Sequence, residues 1–482
     1  MRSAFVDTPR FWTVRPWALR SWTVALALLV MSANDAVAKE LVRTDSGVVL
    51  ETSAFYKTLL SAFVVQPETV TSTRDLARLL REVATVAGAP LPEASLFPAA
   101  GAINGHIGRL SARLRVKEWV EVEVAWQLAL SLASDPVFSS ANTLGTTVGG
   151  IGQGAQRRLF ELSGTLASGA SARLDHNLDR LAVKIALPFG DLIVGRQVLS
   201  WGTGRIWNPT DVLSPFPPTA IDREVRRGFD AVRLLVAIGD VTQLDLLYLP
   251  QLVPAEMGAV ARFRTNTGDW DWSLSFGKYV RDLVIGADLA GDLGPVSIHA
   301  EGAYTIELAG LGAGAVNVGE HFFRGVVGAE VKPSEKLMLA LEYSYNGYGT
   351  TDAARYATVL ASARVVRGEI FGAGAHQAAL AMSVLAHDLL SLQLAMLVNL
   401  TDPSMLFIPS LEFSLTQTVL MRAGAYVPLG RGPDPFVFRR LRANDVLSGS
   451  DAYRQTTASR GLQSEYGSAS FGAFLQVGVY LP

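Results

Sequence analysis

The stretch that decides the fold runs Val120-Glu121-Val122-Glu123-Val124-Ala125-Trp126-Gln127-Leu128-Ala129-Leu130-Ser131. Apolar residues hold every even position, and polar or small ones hold the positions between. Side chains alternate between the two faces of an extended strand, so this segment makes one oily ribbon and one wet ribbon. The pattern recurs down the chain. Trp270, Trp272, Leu274 and Phe276 alternate with Asp271, Ser273, Ser275 and Gly277. Leu337, Leu339, Leu341, Tyr343 and Tyr345 alternate with Met338, Ala340, Glu342, Ser344 and Asn346. Leu392, Leu394, Met396, Val398 and Leu400 do so with Gln393, Ala395, Leu397, Asn399 and Thr401. A strand that crosses a membrane needs about 9–11 such residues. In lipid the sheet must close, because an open edge leaves backbone groups without partners. The expected fold is all-β: a transmembrane antiparallel β-barrel of about 18 strands with long outer loops, wide enough for an aqueous channel.

Export is read from the first residues. Arg15 and Arg20 precede the apolar run 22–31, and Ala36-Val37-Ala38 offers a small-residue cleavage site. A signal peptide is expected over 1–38 and the barrel over 39–482. Hydrophobic residues make up 49% of the 482, yet after residue 38 no apolar run of 18 is free of charge. The richest stretch, 48–65, carries Glu51 and Lys57, so no spanning helix is expected. The chain has no cysteine, hence no thiol nucleophile, no disulfide framework and no residue to carry a lipoprotein acyl chain. Without the signal, Lys and Arg fall from 42 to 38 and Asp and Glu from 44 to 42, a net charge of −4. That balance excludes nucleic acid as a partner. The compartment these features fit is a Gram-negative outer membrane.

Loop lengths carry the topology, since such barrels have short inner turns and longer outer loops. Short breaks fall at 117–118, 189–190, 239–240, 267–268, 291–295, 333–334 and 387–388, and long ones at 134–154, 201–228, 309–321, 346–372 and 429–468. The alternation holds from Asp191 onward and fails between Leu132 and His176, where the count of strands comes out odd. Two segments read as helices: 72–86, capped by Thr73, which either packs on the rim in an outer loop or folds into the lumen as a plug, and, more weakly, 356–367 in another long loop. The last strand, 471–480, places Phe474, Gln476, Gly478 and Tyr480 on one face, followed by Leu481 and Pro482.

Chemistry is sparse. None of the six histidines (His106, His176, His299, His321, His376, His387) stands in a metal-ligand spacing, and no Gly-x-Ser-x-Gly elbow occurs. No catalytic residue, metal or cofactor is expected. The distinctive passage is instead Gly195-Arg196-Gln197-Val198-Leu199-Ser200-Trp201-Gly202, followed by Asn208-Pro209-Thr210-Asp211 and Asp222-Arg223-Glu224-Val225-Arg226-Arg227-Gly228-Phe229-Asp230. It is a strand running into a Gly- and Pro-rich loop dense in both signs of charge. Two expectations arise. In one the loop folds into the lumen and Arg196, Arg205, Asp211, Asp222, Arg223, Glu224, Arg226, Arg227 and Asp230 line a constriction. In the other, arginines such as Arg196 and Arg233 merely pair with acids to fill a wet interior.

The Gly-Arg-Gln-x-x-x-Trp-Gly start and the Asn-Pro-x-Asp that follows resemble a porin-like family of outer-membrane barrels of unassigned function. The Gly-Arg-Gln strand is shared more loosely with alginate-export-type barrels. Glu342-Tyr343-Ser344-Tyr345-Asn346-Gly347 and Asn399-Leu400-Thr401-Asp402-Pro403-Ser404 are similar to strand ends of such barrels. The resemblance is specific only over 195–230 and implies a barrel with a transport or export role.

Trp270, Trp272, Tyr279, Tyr343, Tyr345 and Tyr348 are expected to form interfacial girdles. Wet-ribbon residues Glu121, Glu123, Arg262, Arg264, Asp271, Glu342 and Gln393 are expected to face the lumen. The expected function is passage of small hydrophilic or anionic solutes without chemistry. The alternatives are a plugged barrel for polysaccharide export or surface binding and, further off, a lipid hydrolase. Expected partners are outer-membrane lipid and lipopolysaccharide and the barrel-assembly machinery, with homo-oligomerisation left open.

Overall fold

The computed structural model describes residues 39–44, 47–86, 99–134, 158–309, 317–459 and 461–481. The expected signal segment and nearly all of the expected loop 134–154 lie outside these residues. Twenty strands succeed one another. The first ten are β1 (Lys39–Arg43), β2 (Val48–Val64), β3 (Ala100–Val116), β4 (Val120–Ala133), β5 (Ser163–Ser168), β6 (Ala172–Leu187), β7 (Gly190–Gln197), β8 (Phe229–Ile238), β9 (Thr242–Leu249) and β10 (Gly258–Thr267). The others are β11 (Trp270–Tyr279), β12 (Asp282–Leu293), β13 (Val296–Ala309), β14 (Asn317–Ser334), β15 (Leu337–Asn346), β16 (His376–His387), β17 (Leu390–Asn399), β18 (Ser404–Ser414), β19 (Val419–Leu429) and β20 (Phe471–Leu481). Every neighbouring pair is antiparallel, and β2 pairs with β20 as well as with β3, so the sheet closes.

Two strands are accessories. β1 lies along Val49–Thr52 of β2, just past Ala54, the last residue that β20 reaches. β5 lies along the end of β6 that β7 leaves uncovered, while β4 pairs directly with β6. Removing these two from 20 leaves a wall of 18 strands. The accessory β5 falls inside the stretch where the sequence count became odd: it pairs with β6 but adds no strand to the wall.

The chain ends and the turns 117–119, 188–189, 239–241, 268–269, 294–295, 335–336, 388–389 and 415–418 share one rim, and the long loops occupy the other. Two outer connections break the expected alternation of lengths. Residues 280–281 join β11 to β12 with Val280 in the left-handed region at φ 52°. Residues 400–403 join β17 to β18, where the Asn399 carbonyl oxygen accepts from Thr401 N–H and Asp402 Oδ1 accepts from Ser404 N–H. Such side-chain caps close a tight turn without extra length.

Alternation sorts the wall as the sequence predicts. Leu274, Phe276, Leu341 and Leu392 are exposed on the outside, while Ser273, Ala340 and Glu342 are buried on the inside. β6 departs once: opposite Ala125 and Trp126 it carries an extra residue, Asp179, between Leu178 and Arg180. Bulges of this kind re-aim side chains, and here Asp179 and Arg180 are both buried and bonded to one another.

Helix α1 (Pro67–Val86) begins at a proline suited to the first turn, five residues before the expected start. Its Leu76 and Leu79 pack on Val437, Phe438, Leu441 and Val446 of the last outer loop, so it sits among the outer loops, the first of the two expected places. The weaker prediction resolves into α2 (Tyr356–Leu360) and α3 (Ala363–Val366), with the Ser362 hydroxyl accepting from Val365 N–H at the second start. Further on, α4 (Ala443–Ser448) and α5 (Asp451–Ser459) lie in the loop between β19 and β20.

Candidate pore constriction

Residues 198–228, between β7 and β8, fold into the lumen and are fastened to the wall at three arcs. The first fastening uses carboxylates as acceptors for loop backbone. Glu301 of β13 accepts from Thr203 N–H (2.8 Å), Gly204 N–H (3.2 Å) and both N–H and hydroxyl of Thr210 (2.6 and 2.8 Å). Glu342 of β15 accepts from Arg205 N–H, from Ile206 N–H at 3.0 Å and from Trp207 N–H at 3.2 Å. Its other neighbour is His299 Nε2 at 2.9 Å. Six consecutive or nearly consecutive amides, which no helix or strand satisfies, thus find two charged acceptors, and such bonds are among the stronger ones. The loop's glycines make this approach feasible. Gly202 stands at φ 90°, and a Cβ there would lie 2.6 Å from Glu301 Oε2. A Cβ on Gly204 would lie 1.9 Å from the Trp207 carbonyl oxygen.

The second fastening is on β19, β20 and β2, beyond the three strands that follow β15 round the wall. The Lys57 ammonium, 2% exposed, bonds Asp222 at 2.6 Å and also Glu224. The Tyr480 hydroxyl reaches Glu224 at 2.8 Å, and Tyr426 donates to the Thr219 carbonyl at 2.7 Å. Burial disfavours charge on Asp222, but the Lys57 ammonium overcomes it and holds the carboxyl below its ordinary range. The third fastening is on β6: Gly228 N–H donates to Asp179 at 3.0 Å and the Arg180 guanidinium donates to the Arg226 carbonyl at 2.8 Å.

Hydrophobic packing sets the loop's depth. Leu199, Trp201 and Val212 join Phe229, Ala231, Leu247, Leu249, Val260, Tyr279 and Val284 in one interior cluster. Ile206 and Trp207 join Leu59, Val326, Ala379, Leu397, Leu406, Tyr426 and Phe474 in another.

The nine residues named from sequence separate into three groups. Arg205, Arg223 and Glu224 line a chamber of about 750 Å³, opposite Glu330, Lys332, Glu412 and Arg422 of the wall. Arg205 pairs with Glu330 at 3.0 Å and Arg422 with Glu412 at 2.6 Å. The Arg205–Glu330 pair also borders a second chamber of about 260 Å³ that carries Asp269, Asp271 and Asp292. Arg223 donates to the carbonyls of Arg205 (3.3 Å) and Pro218 (2.6 Å), and burial holds its guanidinium below the ordinary value.

Asp211, Asp222, Arg226 and Arg227 form the second group, which holds the loop's shape. The Arg226 guanidinium bonds Asp211 and the Ser214 carbonyl and lies 4.7 Å from the Phe216 ring centroid. Burial pushes the Asp211 carboxyl up to about 6, against the pull of Arg226. Arg227 is half-buried; burial lowers its guanidinium and Asp179 opposes that. The third pair, Arg196 and Asp230, stands apart. The register sets it in the row of the exposed Val194 and Val232, one step out of phase with Arg233, the partner of Asp245. There residues 158–162 cover it: Asp230 accepts from the Leu159 and Phe160 amides, and Arg196 donates to the Phe160 carbonyl and to Asp230.

Sequence reasoning passed over Lys57, Glu301, Glu330, Glu412 and Arg422. All five are charged residues at wet-ribbon positions, and that signal was open to it. The girdle needs one correction. Trp270 and Trp272 share the outward row of Leu274, and Tyr343 and Tyr345 that of Leu341, but Tyr279 is 3% exposed inside the lumen and Tyr348 packs on Phe322. Tyr279 is odd-numbered where the outward residues of β11 are even, so its phase already placed it inside.

No family model and no curated protein matches this chain, so the resemblance to porin-like and alginate-export-type barrels rests on its residues 195–230 alone. Among solved structures it is similar to OccAB1 of Acinetobacter baumannii, at 11% identity over 93% of this chain and 99% of that one, with a TM-score of 0.47. OccK11 of Pseudomonas aeruginosa aligns at 12% identity over 90% and 96%, TM-score 0.47. OccK5 of the same organism aligns at 9% over 89% and 98%, TM-score 0.45.

Proposed function

We propose that this chain is a channel of a Gram-negative outer membrane that passes small hydrophilic solutes, anionic ones among them, and carries out no chemistry. The observation that supports this reading is the loop 198–228 held inside the lumen with Arg205, Arg223 and Glu224 facing a charged wall across about 750 Å³. Opposed charges in a narrow wet space make a transverse field that sorts solutes by charge and dipole. The apolar outer rows, which include Leu341 and Phe276, match a lipid belt. The test is single-channel recording of the refolded mature protein in a planar bilayer under a salt gradient. Stable steps with a defined reversal potential support the channel.

One observation favours the second reading, a plugged barrel for polysaccharide export or surface binding. Glu465, in the last outer loop, accepts from the Ala373 and Gly374 amides, Gln377 and Asn399. It thereby knits two outer loops together over β16 and β17. Silence from folded, inserted protein moves the assignment to that reading.

A further inference from the structure

On the outside of β13 to β16, close to their outer ends, four adjacent strands carry a continuous run of aromatic and imidazole rings. The Tyr304 hydroxyl lies 2.8 Å from His321 Nδ1, and the Tyr343 hydroxyl lies 2.7 Å from His376 Nδ1. The two pairs are bridged: Phe323 stacks on Tyr345 at 6.4 Å and 27°, and Tyr345 lies 5.3 Å from His376. Tyr304, Phe323, Tyr343 and Tyr345 are 36–46% exposed. Below them on the same face stand Val327 and Leu341, 53% and 59% exposed. The run therefore marks the boundary between the apolar belt and the outer headgroup layer.

The hydrogen bonds fix what the imidazoles present. A phenol is the better donor and a neutral imidazole nitrogen the better acceptor, so each Tyr O–H donates to Nδ1 and the ring proton resides on Nε2. Among the described residues neither Nε2 has a partner. Two N–H donors are thus held at headgroup level by the phenols behind them. The acids nearest in sequence, Glu307 and Glu320, occupy the alternate row, where Glu307 accepts from the Glu320 amide. We infer that this arc is a docking surface for the phosphate of an outer-leaflet lipid, with His321 and His376 as the donors and Tyr304 and Tyr343 as the residues that position them. The inference is independent of whether the lumen conducts.

The experiment is native mass spectrometry of the detergent-solubilised protein titrated with bis-phosphorylated lipid A, with the dephosphorylated lipid and with inorganic phosphate as separate arms. The wild type should prefer the phosphorylated lipid, and H321F/H376F, which keeps a ring but removes both N–H donors, should lose roughly tenfold in that preference, the effect of about one charge-assisted hydrogen bond. H387Q, at an inner turn, should bind as the wild type does. Y304F/Y343F keeps the donors but frees the tautomer, and should fall between the two. It also serves if the histidine variant fails the heat-modifiability test of folding. Equal binding of both lipids, or an undiminished preference in both double variants, overturns the inference. Full competition by millimolar inorganic phosphate also overturns it, because the site would then be one for free anion rather than for lipid.

Discussion

The two legs of the lumen loop are held by opposite kinds of chemistry. In residues 202–210 the loop offers mainly backbone, with the Thr210 hydroxyl and the Arg205 guanidinium beside it, and the wall supplies carboxylates through Glu301, Glu342 and Glu330. In residues 222–224 the loop supplies carboxylates and the wall answers with one ammonium, Lys57, and the Tyr480 hydroxyl. The first leg, Gly202 and Gly204 aside, is insensitive to the identity of most loop side chains, because every residue but proline has a backbone N–H. The second depends on Asp222 and Glu224 by name. The first is also the drier: Glu342 is 0% exposed, whereas the carboxylates of Asp222 and Glu224 are 24% and 38% exposed. Charges that water can reach are replaced cheaply by hydration, while buried ones are not.

The largest effect should therefore follow from Glu342→Leu. It leaves the buried amides of Ile206 and Trp207 without an acceptor, at about 1–3 kcal/mol each, and the part-buried amide of Arg205 with them, enough to detach residues 205–207 from the wall. Single-channel conductance should change severalfold and become noisy, while Glu342→Gln, which keeps one of the two accepting oxygens, should fall between Glu342→Leu and the wild type. Wild-type steps in Glu342→Leu would show that Trp207 and Ile206 hold the leg by packing alone. Lys57→Met comes second. Its acids can be hydrated, so conductance should move less, but two uncovered carboxylates should shift the reversal potential toward cations. If Lys57→Met disturbs conductance as much as Glu342→Leu, the contrast between the legs is lost.

Arg226 and Arg227 sharpen the comparison further. Arg226 is matched by Asp211, whereas Arg227 has only the more distant Asp179 acting on it. Removing Arg226 strands Asp211, which will then take up a proton, so the two charges vanish together. Arg227→Ala should consequently move the reversal potential toward cations more than Arg226→Ala does. The reverse order would mean that Asp211 stays ionised without its partner.

The wall was legible in sequence because one rule governs it: every second residue meets lipid, and the rule acts locally. The misjudged positions are those where the local rule gives way. β5, Ser-Gly-Thr-Leu-Ala-Ser, carries no apolar alternation, and its place as an accessory is fixed only by its pairing with the far end of β6. The brevity of 280–281 rests on a left-handed Val280, which composition does not favour. The loop's charges were visible, but their partners lie up to 256 residues away, as Tyr480 does from Glu224. No spacing along the chain carries that information. Arg196 and Asp230 had the charge expected of pore residues and the wrong phase, and phase proved the better guide.

The smallest effect concerns Asp211, the one acid within the loop whose titration falls near neutrality. Its carboxyl is raised by burial to about 6, above the value it has in an unfolded chain. For a raised acid the folded protein binds the extra proton, so the inserted loop gains stability as pH falls through about 6 and loses that gain as pH rises past it. Protonation also leaves Arg226 without a counter-charge. On going from pH 7.5 to pH 5 the reversal potential should therefore drift toward anions by an amount set by one charge, with the loop still in place. Asp211→Asn should show the acid-side value at both pH values and no drift. A drift that survives in Asp211→Asn would assign the titration to another group, Glu465 foremost. Burial raises that carboxyl as well, and by the same linkage its protonation favours the closed outer loops rather than recharging the lumen, so a change in conductance rather than in selectivity would identify it.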